Sequence, residues 1–157
     1  MSKELDHPNI SPLVHPPVVA MLFIVLAYSL EQFVPLPFAV PMILRYVGLL
    51  LAFVGLLLGI GALLEFRKAH TTLDPHGSVK QVVTSGIYRF TRNPIYLGFL
   101  LLLIGVPLYS GFYWGIVLAP FFILVMDRLV IQKEEVYLEK KFGEVYTSYT
   151  SRVRRWL

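Results

Sequence analysis

Cysteine is absent from the sequence, which excludes a disulfide-stapled secreted module. Charge is scarce as well. Asp, Glu, Lys and Arg make up 15% of the 157 residues, against roughly 25% in an average soluble domain. So few polar side chains cannot cover a water-facing surface. A hydrophobic content of 56% and a mean hydropathy of +0.66 exclude disorder. No P-loop, dinucleotide fingerprint, G-x-S-x-G or H-E-x-x-H motif is found. Internal repeats and low-complexity segments are also missing. The N-terminal segment sets Lys3 beside Glu4 and Asp6, without a basic leader region or a small-residue cleavage site. The first apolar block is therefore expected to stay in the mature chain. What remains is a small integral membrane protein of one domain, 1–157.

The apolar residues come in blocks. Val18 to Leu30 is free of charge, preceded by Pro16-Pro17 and closed by Glu31. From Gln32 to Leu64 the only charge is Arg45, and Pro35, Pro37 and Pro41 crowd the front of that interval. From Asn93 to Met126 there is no Asp, Glu, Lys or Arg. A membrane helix needs about 20 apolar residues, so this last block is too long for one crossing and adequate for two short ones. Gly105, Pro107, Ser110 and Gly111 supply a turn in its middle. The pattern predicts an all-α, polytopic protein with helices near 16–33, 42–65, 94–109 and 112–131. After Ile131 helical composition continues to Phe142, and Gly143 is placed to end it, giving a C-terminal helical extension. Residues 16–65 form an N-terminal hairpin and 66–157 the part able to carry chemistry.

Positive charge checks this layout independently. The net charge is +4. The 66–93 segment holds Arg67, Lys68, Lys80, Arg89 and Arg92, and the tail holds Lys133, Lys140, Lys141, Arg152, Arg154 and Arg155. The 34–41 and 108–112 turns have neither Lys nor Arg. With four spans, both basic segments and the N-terminus share one side. The positive-inside rule makes that side cytoplasmic, in a multi-pass protein of the inner membrane.

Two segments on that side can carry chemistry. In Val83-Thr84-Ser85-Gly86-Ile87-Tyr88-Arg89-Phe90-Thr91-Arg92-Asn93-Pro94-Ile95-Tyr96, Thr-Ser-Gly reads as a turn, and Asn93-Pro94 as an N-cap with proline at N1. A helix start beside Arg89 and Arg92 can hold a carboxylate or phosphate. Equally, the arginines can be snorkelling anchors and Tyr88 and Tyr96 part of an aromatic belt. The second segment is Glu134-Glu135, with Asp127 and Arg128 upstream. Positions seven apart share a helix face, which aligns Asp127 with Glu134 and Arg128 with Glu135. A carboxylate there can hold a ligand cation or pair with a nearby Arg or Lys.

Weaker patterns surround these. His70, Asp74 and His76 share a loop but match no zinc spacing. Gly55 and Gly59 form G-x-x-x-G, the mark of a helix interface. Tyr146, Tyr149, Arg152, Arg154, Arg155 and Trp156 read as an amphipathic surface anchor. So short a basic tail beside lipid does not suit nucleic acid, and no metal is expected.

The run from Val83 to Gly98 resembles the core motif of the isoprenylcysteine carboxyl methyltransferase and phospholipid methyltransferase superfamily. The continuation Glu134-Glu135-x-x-Leu138-x-x-x-Phe142-Gly143-x-x-Tyr146-x-x-Tyr149-x-x-x-Val153 is similar to that family's C-terminal signature. The resemblance covers roughly residues 66–155 and suits a short, bacterial-type member. It implies a membrane enzyme using S-adenosylmethionine. By that resemblance, cofactor contacts fall on Lys80, Gln81, Val82, Val83, Tyr88, Asn93, Pro94, Ile95, Tyr96 and Glu134, and catalysis on Arg92, Asn93 and Glu134. Arg128 and Glu135 are then the substrate-binding candidates.

Two departures stand out. The family's usual His is Asn93 here, which can cap and donate but cannot exchange protons near neutral pH. Val130 stands where eukaryotic members carry a substrate-contacting arginine. The acceptor implied is the carboxylate of a lipophilic, isoprenylcysteine-like molecule. A phospholipid amine or a small thiol is the alternative within the same fold, and a non-enzymatic four-helix scaffold the alternative outside it. A low-dielectric pocket suits attack of an anion on a sulfonium, because separated charges lose more solvation than the neutralising transition state.

Overall fold

A computed structural model describes residues 14–70 and 79–157, together with Pro8. Proline opens two of its helices, α1 (Pro16–Phe33) at Pro16 and α3 (Pro94–Ser110) at Pro94. At that position the missing N–H has no intrahelical partner to lose. Between them runs α2 (Met42–Lys68), which outlasts its apolar stretch by a turn. Arg67 and Lys68 stand in that last turn, where cations oppose the helix dipole. Gly111, at φ +106, ends α3, and α4 (Trp114–Met126) starts two residues later than the composition predicts.

A π-helical turn, Asp127–Ile131, joins α4 to α5 (Gln132–Phe142) without a break. Trp114–Phe142 is thus one rod of 29 residues. At about 1.5 Å per residue the rod exceeds a hydrocarbon core of about 30 Å, so its polar last third projects beyond the lipid. Gly143, at φ +49, breaks the rod, and α6 (Glu144–Thr150) follows. Among the described residues there is no strand.

Among the described residues three helices are long and apolar enough to cross a membrane, and α3 is a shorter apolar helix. The protein is therefore all-α and polytopic, as its composition predicts. The core lies between α1, α3 and α4, where Leu103, Phe122, Met126, Val130 and Ile131 are fully buried. Phe23 meets Phe122 edge to face at 5.4 Å. Met21, Leu22, Ile43, Leu50, Phe53, Phe121 and Leu124 face outward. An apolar surface of this extent belongs against lipid.

The second helix packs chiefly on α3, through glycine. A Cβ at Gly55 would lie 2.7 Å from the Gly98 carbonyl oxygen, and one at Gly48 2.7 Å from that of Gly105. The G-x-x-x-G pair does lie at this interface, since a Cβ at Gly98 would fall 2.7 Å from the Gly55 carbonyl oxygen and 3.5 Å from Gly59 N. The tight positions are Gly55 and Gly48, one heptad apart, whereas a Cβ on Gly59 would meet nothing within 4 Å. Two helices in long antiparallel contact meet again every seventh residue, not every fourth.

Candidate functional site

The site is built at the basic end of the bundle, where α2 ends, α3 begins and α5 emerges. Glu65, in the last turns of α2, accepts hydrogen bonds from Lys68 Nζ (2.8 Å) and Ser85 Oγ (2.5 Å). The turn it holds needs glycine. Gly86 has φ +56, and a Cβ there would fall 2.5 Å from the Glu65 carboxyl carbon. The single 3-10 turn that follows, Gly86–Arg89, buries Tyr88 with its ring 5.6 Å from Phe66. From α6, the Tyr149 hydroxyl donates to the Tyr88 carbonyl at 2.7 Å.

Asn93 precedes α3, and its carbonyl accepts the first helical bond, from Leu97 N–H at 2.9 Å. Asn93 occupies the N-cap position with Pro94 after it, as the sequence predicts, but its side chain makes no cap bond. Asn93 Nδ2 instead donates to the Arg155 carbonyl at 2.9 Å, joined there by Thr91 Oγ1 at 3.2 Å. One turn into α3, the Tyr96 hydroxyl donates to Glu134 Oε1 at 2.7 Å.

The π turn changes which carboxylates share a face. Arg155 donates to both oxygens of Glu135, Nε to Oε1 at 3.0 Å and Nη2 to Oε2 at 2.6 Å, and its Nη1 lies 3.6 Å from Asp127 Oδ2. Asp127 therefore aligns with Glu135, not with Glu134 as regular α spacing predicts. One extra residue per turn shifts the register by one position. Arg92 Nη1 is 3.1 Å from Glu135 Oε1, so that carboxylate bridges two arginines.

The C-terminal segment is not a surface anchor. Arg92 N–H donates to the Arg154 carbonyl at 3.0 Å, and Trp156 packs against the main core. A tail that satisfies backbone groups at the start of α3 and an ion pair on α5 is a clasp across the site.

A cavity opens between these elements. Among the residues expected to contact a cofactor, Gln81, Val82, Val83, Tyr88, Asn93, Pro94, Ile95, Tyr96 and Glu134 line it, as do Arg92 and Glu135. Lys80 is exposed and outside the wall, and Arg128 lies on an exposed face away from it. Of the loose His70-Asp74-His76 cluster, Asp74 and His76 fall outside the described residues, as do Lys3, Glu4 and Asp6.

Composition and spacing missed several members of the wall. Pro8, Phe66, Val79, Ile131, Tyr137, Leu138, Tyr146 and Tyr149 complete it. Tyr137 accepts a hydrogen bond from Val79 N–H at 3.2 Å, holding the 79–83 segment onto α5. Tyr137 and Leu138 stand one turn after Glu134, a helical spacing that marks them as its neighbours. Nothing local identifies Phe66.

Burial sets the protonation of these side chains. It pushes the Tyr146 phenol up to about 12 and raises Tyr88 and Tyr149 further, so all three remain hydrogen-bond donors near neutral pH. The hydrogen bonds to Glu135 raise Arg155 from its ordinary value and keep it a cation. Among the described residues, buried side-chain atoms without a hydrogen-bond partner include Arg92 Nε, which belongs to the cavity wall.

Fold and site together define a polytopic helical membrane protein with a cavity of mixed charge and apolar wall at its basic end. The chain belongs to the phospholipid methyltransferase family, whose model matches residues 43–145. An uncharacterized protein of Haemophilus influenzae is 44% identical over 66 residues, 40% of this chain and all of that one. The protein-S-isoprenylcysteine O-methyltransferase of Schizosaccharomyces pombe is 35% identical over 75 residues. That match takes in 46% of this chain and 30% of the yeast enzyme, so the chain spans less than a third of that relative's length. No solved structure matches the chain.

Proposed function

We propose that the protein transfers a methyl group from S-adenosylmethionine to a lipophilic acceptor at this cavity. Membership in a methyltransferase family supports an enzyme over a membrane scaffold. The observation that carries the reading is the pairing of opposite charges in one wall, Arg92 from the start of α3 and Glu134 from α5. A zwitterionic amino-acid end needs both. The unpartnered, buried Arg92 Nε is a donor awaiting an acceptor atom, which fits a ligand carboxylate.

When bound, the cofactor supplies an electrophilic methyl on a positive sulfur. Arg92 would hold its carboxylate and Glu134 its ammonium or ribose hydroxyls. Tyr96 orients Glu134 through their hydrogen bond, and Tyr88, Ile95 and Val83 would pack against the nucleoside. Asn93 serves by position, holding the clasp, because an amide exchanges no proton near neutral pH. Phe66, Ile131 and Leu138 exclude water from the reacting pair, where low dielectric favours charge neutralisation. Fixing donor and acceptor in line is then the main catalytic contribution.

For the acceptor we favour the carboxylate of an isoprenylcysteine-like molecule, on the name of the yeast relative. The placement of Arg128 outside the cavity supports a second reading. Arg92 is the one cation among the described wall residues, so with it on the cofactor none is left for an acceptor carboxylate. An amine or thiol acceptor needs no such cation. The basic segments support a cytoplasmic orientation for this end of the bundle, in an inner membrane.

Calorimetry on detergent-purified protein tests the reading. S-adenosylhomocysteine should bind, and Glu134→Ala should weaken it about tenfold or more, about 1.4 kcal/mol. Unchanged affinity would reject the role of Glu134. The rate against pH then separates acceptors, since an amine or thiol loses rate as it protonates and a carboxylate only at much lower pH.

A further inference from the structure

We infer that Arg155, in the C-terminal clasp, is a positioning residue that holds Glu135 away from full pairing with Arg92 and so keeps the Arg92 guanidinium available to an anionic ligand. The inference rests on the cavity as the ligand site and assigns a task to a tail residue outside its wall.

The geometry is a competition for one carboxylate. Arg155 takes Glu135 as a fork, Nε on Oε1 at 3.0 Å and Nη2 on Oε2 at 2.6 Å. Arg92 reaches that carboxylate only through Nη1, 3.1 Å from Oε1, and also hydrogen-bonds Tyr146, while its Nε stays buried without a partner. Both side chains of the Arg92–Glu135 pair are mostly buried, 16% and 19% exposed. A carboxylate deprived of Arg155 there would not be satisfied by water alone. Its nearest second donor is Arg92, and an arginine prefers two parallel bonds to a carboxylate. Arg92 would then turn its fork onto Glu135 and withdraw Nε from the cavity.

Arg155 is itself held in place. Its carbonyl accepts from Asn93 Nδ2 and Thr91 Oγ1, the carbonyl before it accepts from Arg92 N–H, and Asp127 lies 3.6 Å from its Nη1. The residues that grip the tail thus flank the arginine that the tail sets free.

A rescue experiment separates this role from simple support. Arg155→Gln should weaken S-adenosylhomocysteine binding about tenfold by calorimetry. The double variant Arg155→Gln/Glu135→Gln should return to within about threefold of wild type, because the competitor for Arg92 has lost its charge. A purely structural tail predicts the reverse, a double variant as weak as the single one or weaker, and that result overturns the inference. So does a single variant that binds like wild type. If Arg155→Gln does not fold, Arg155→Lys with and without Glu135→Gln repeats the comparison, since lysine keeps the charge but not the fork. Phenylglyoxal labelling of Arg92 without ligand, read by peptide mass against the exposed Arg89, gives an independent readout. Labelling should fall in the single variant and recover in the double. An unchanged pattern overturns the inference, whereas failure of wild type to bind the nucleoside overturns only the cofactor reading.

Discussion

The Tyr96 hydroxyl donates to Glu134 Oε1 at 2.7 Å, tying the first turn of α3 to the first turn of α5 inside the cavity wall. Through this bond an aromatic side chain at the membrane boundary sets the direction of a carboxylate. Tyr96→Phe keeps the ring and removes the bond, so it should cost about 1 kcal/mol of S-adenosylhomocysteine binding, about fivefold. Titration calorimetry measures it. A loss as large as that of Glu134→Ala would mean that the hydroxyl meets the ligand itself, and no loss would mean that the bond orients nothing of use.

Backbone contact between α2 and α3 predicts opposite signs for two glycines. Gly98→Ala drives a methyl to 2.7 Å from the Gly55 carbonyl oxygen, and the packed backbones cannot both yield. It should lower stability by about 1–3 kcal/mol. Gly59→Ala meets nothing within 4 Å and gains helix propensity, so it should leave stability unchanged or raise it by up to about 1 kcal/mol. Thermal unfolding in one detergent compares them, and equal effects would contradict this interface.

The π turn predicts that the rod tolerates the loss of one residue there. Deleting the exposed Leu129 lets Asp127–Ile131 relax to α geometry, because a π turn holds one residue more than an α turn. Asp127 and Glu135 then stand seven positions apart, the spacing at which α positions share a face, so Glu134 keeps Tyr96 and Glu135 keeps Arg155. Circular dichroism should show unchanged helix content, and S-adenosylhomocysteine binding should stay within about threefold of wild type. Lost binding would show that the π turn does more than absorb an extra residue.

Arg128 supplies a negative control. It lies on an exposed face outside the cavity, so Arg128→Ala should move ligand affinity and acceptor KM by less than about twofold. A larger rise in KM alone would bring the acceptor to that outer face.

Most of the wall was legible in the sequence because it is contiguous. The 80–96 segment reaches the site as one piece, with a turn that requires Gly86 and a helix that Pro94 opens, and both features are written in single residues. Glu134 was legible as a carboxylate at a membrane boundary. Phe66 was not, because its place depends on how far α2 runs past its apolar stretch. The alignment of Asp127 with Glu135 was not either, because a single π turn leaves no mark in residue type and overrides a spacing that holds for regular helix.

Composition alone determined that the chain lives in lipid and crosses it several times, since apolar runs without charge have no other solvent and prolines and glycines delimit them. Basic residues on one side of those runs marked the end of the bundle at which the cavity lies. Tertiary structure decided the partnerships: which of the two wall carboxylates Tyr96 takes, which Arg155 holds, and why the tail folds back over Thr91, Arg92 and Asn93 instead of lying on the membrane. The physical reason is that such pairings join residues far apart in the chain. Their distances follow from helix register and packing, which no local pattern encodes.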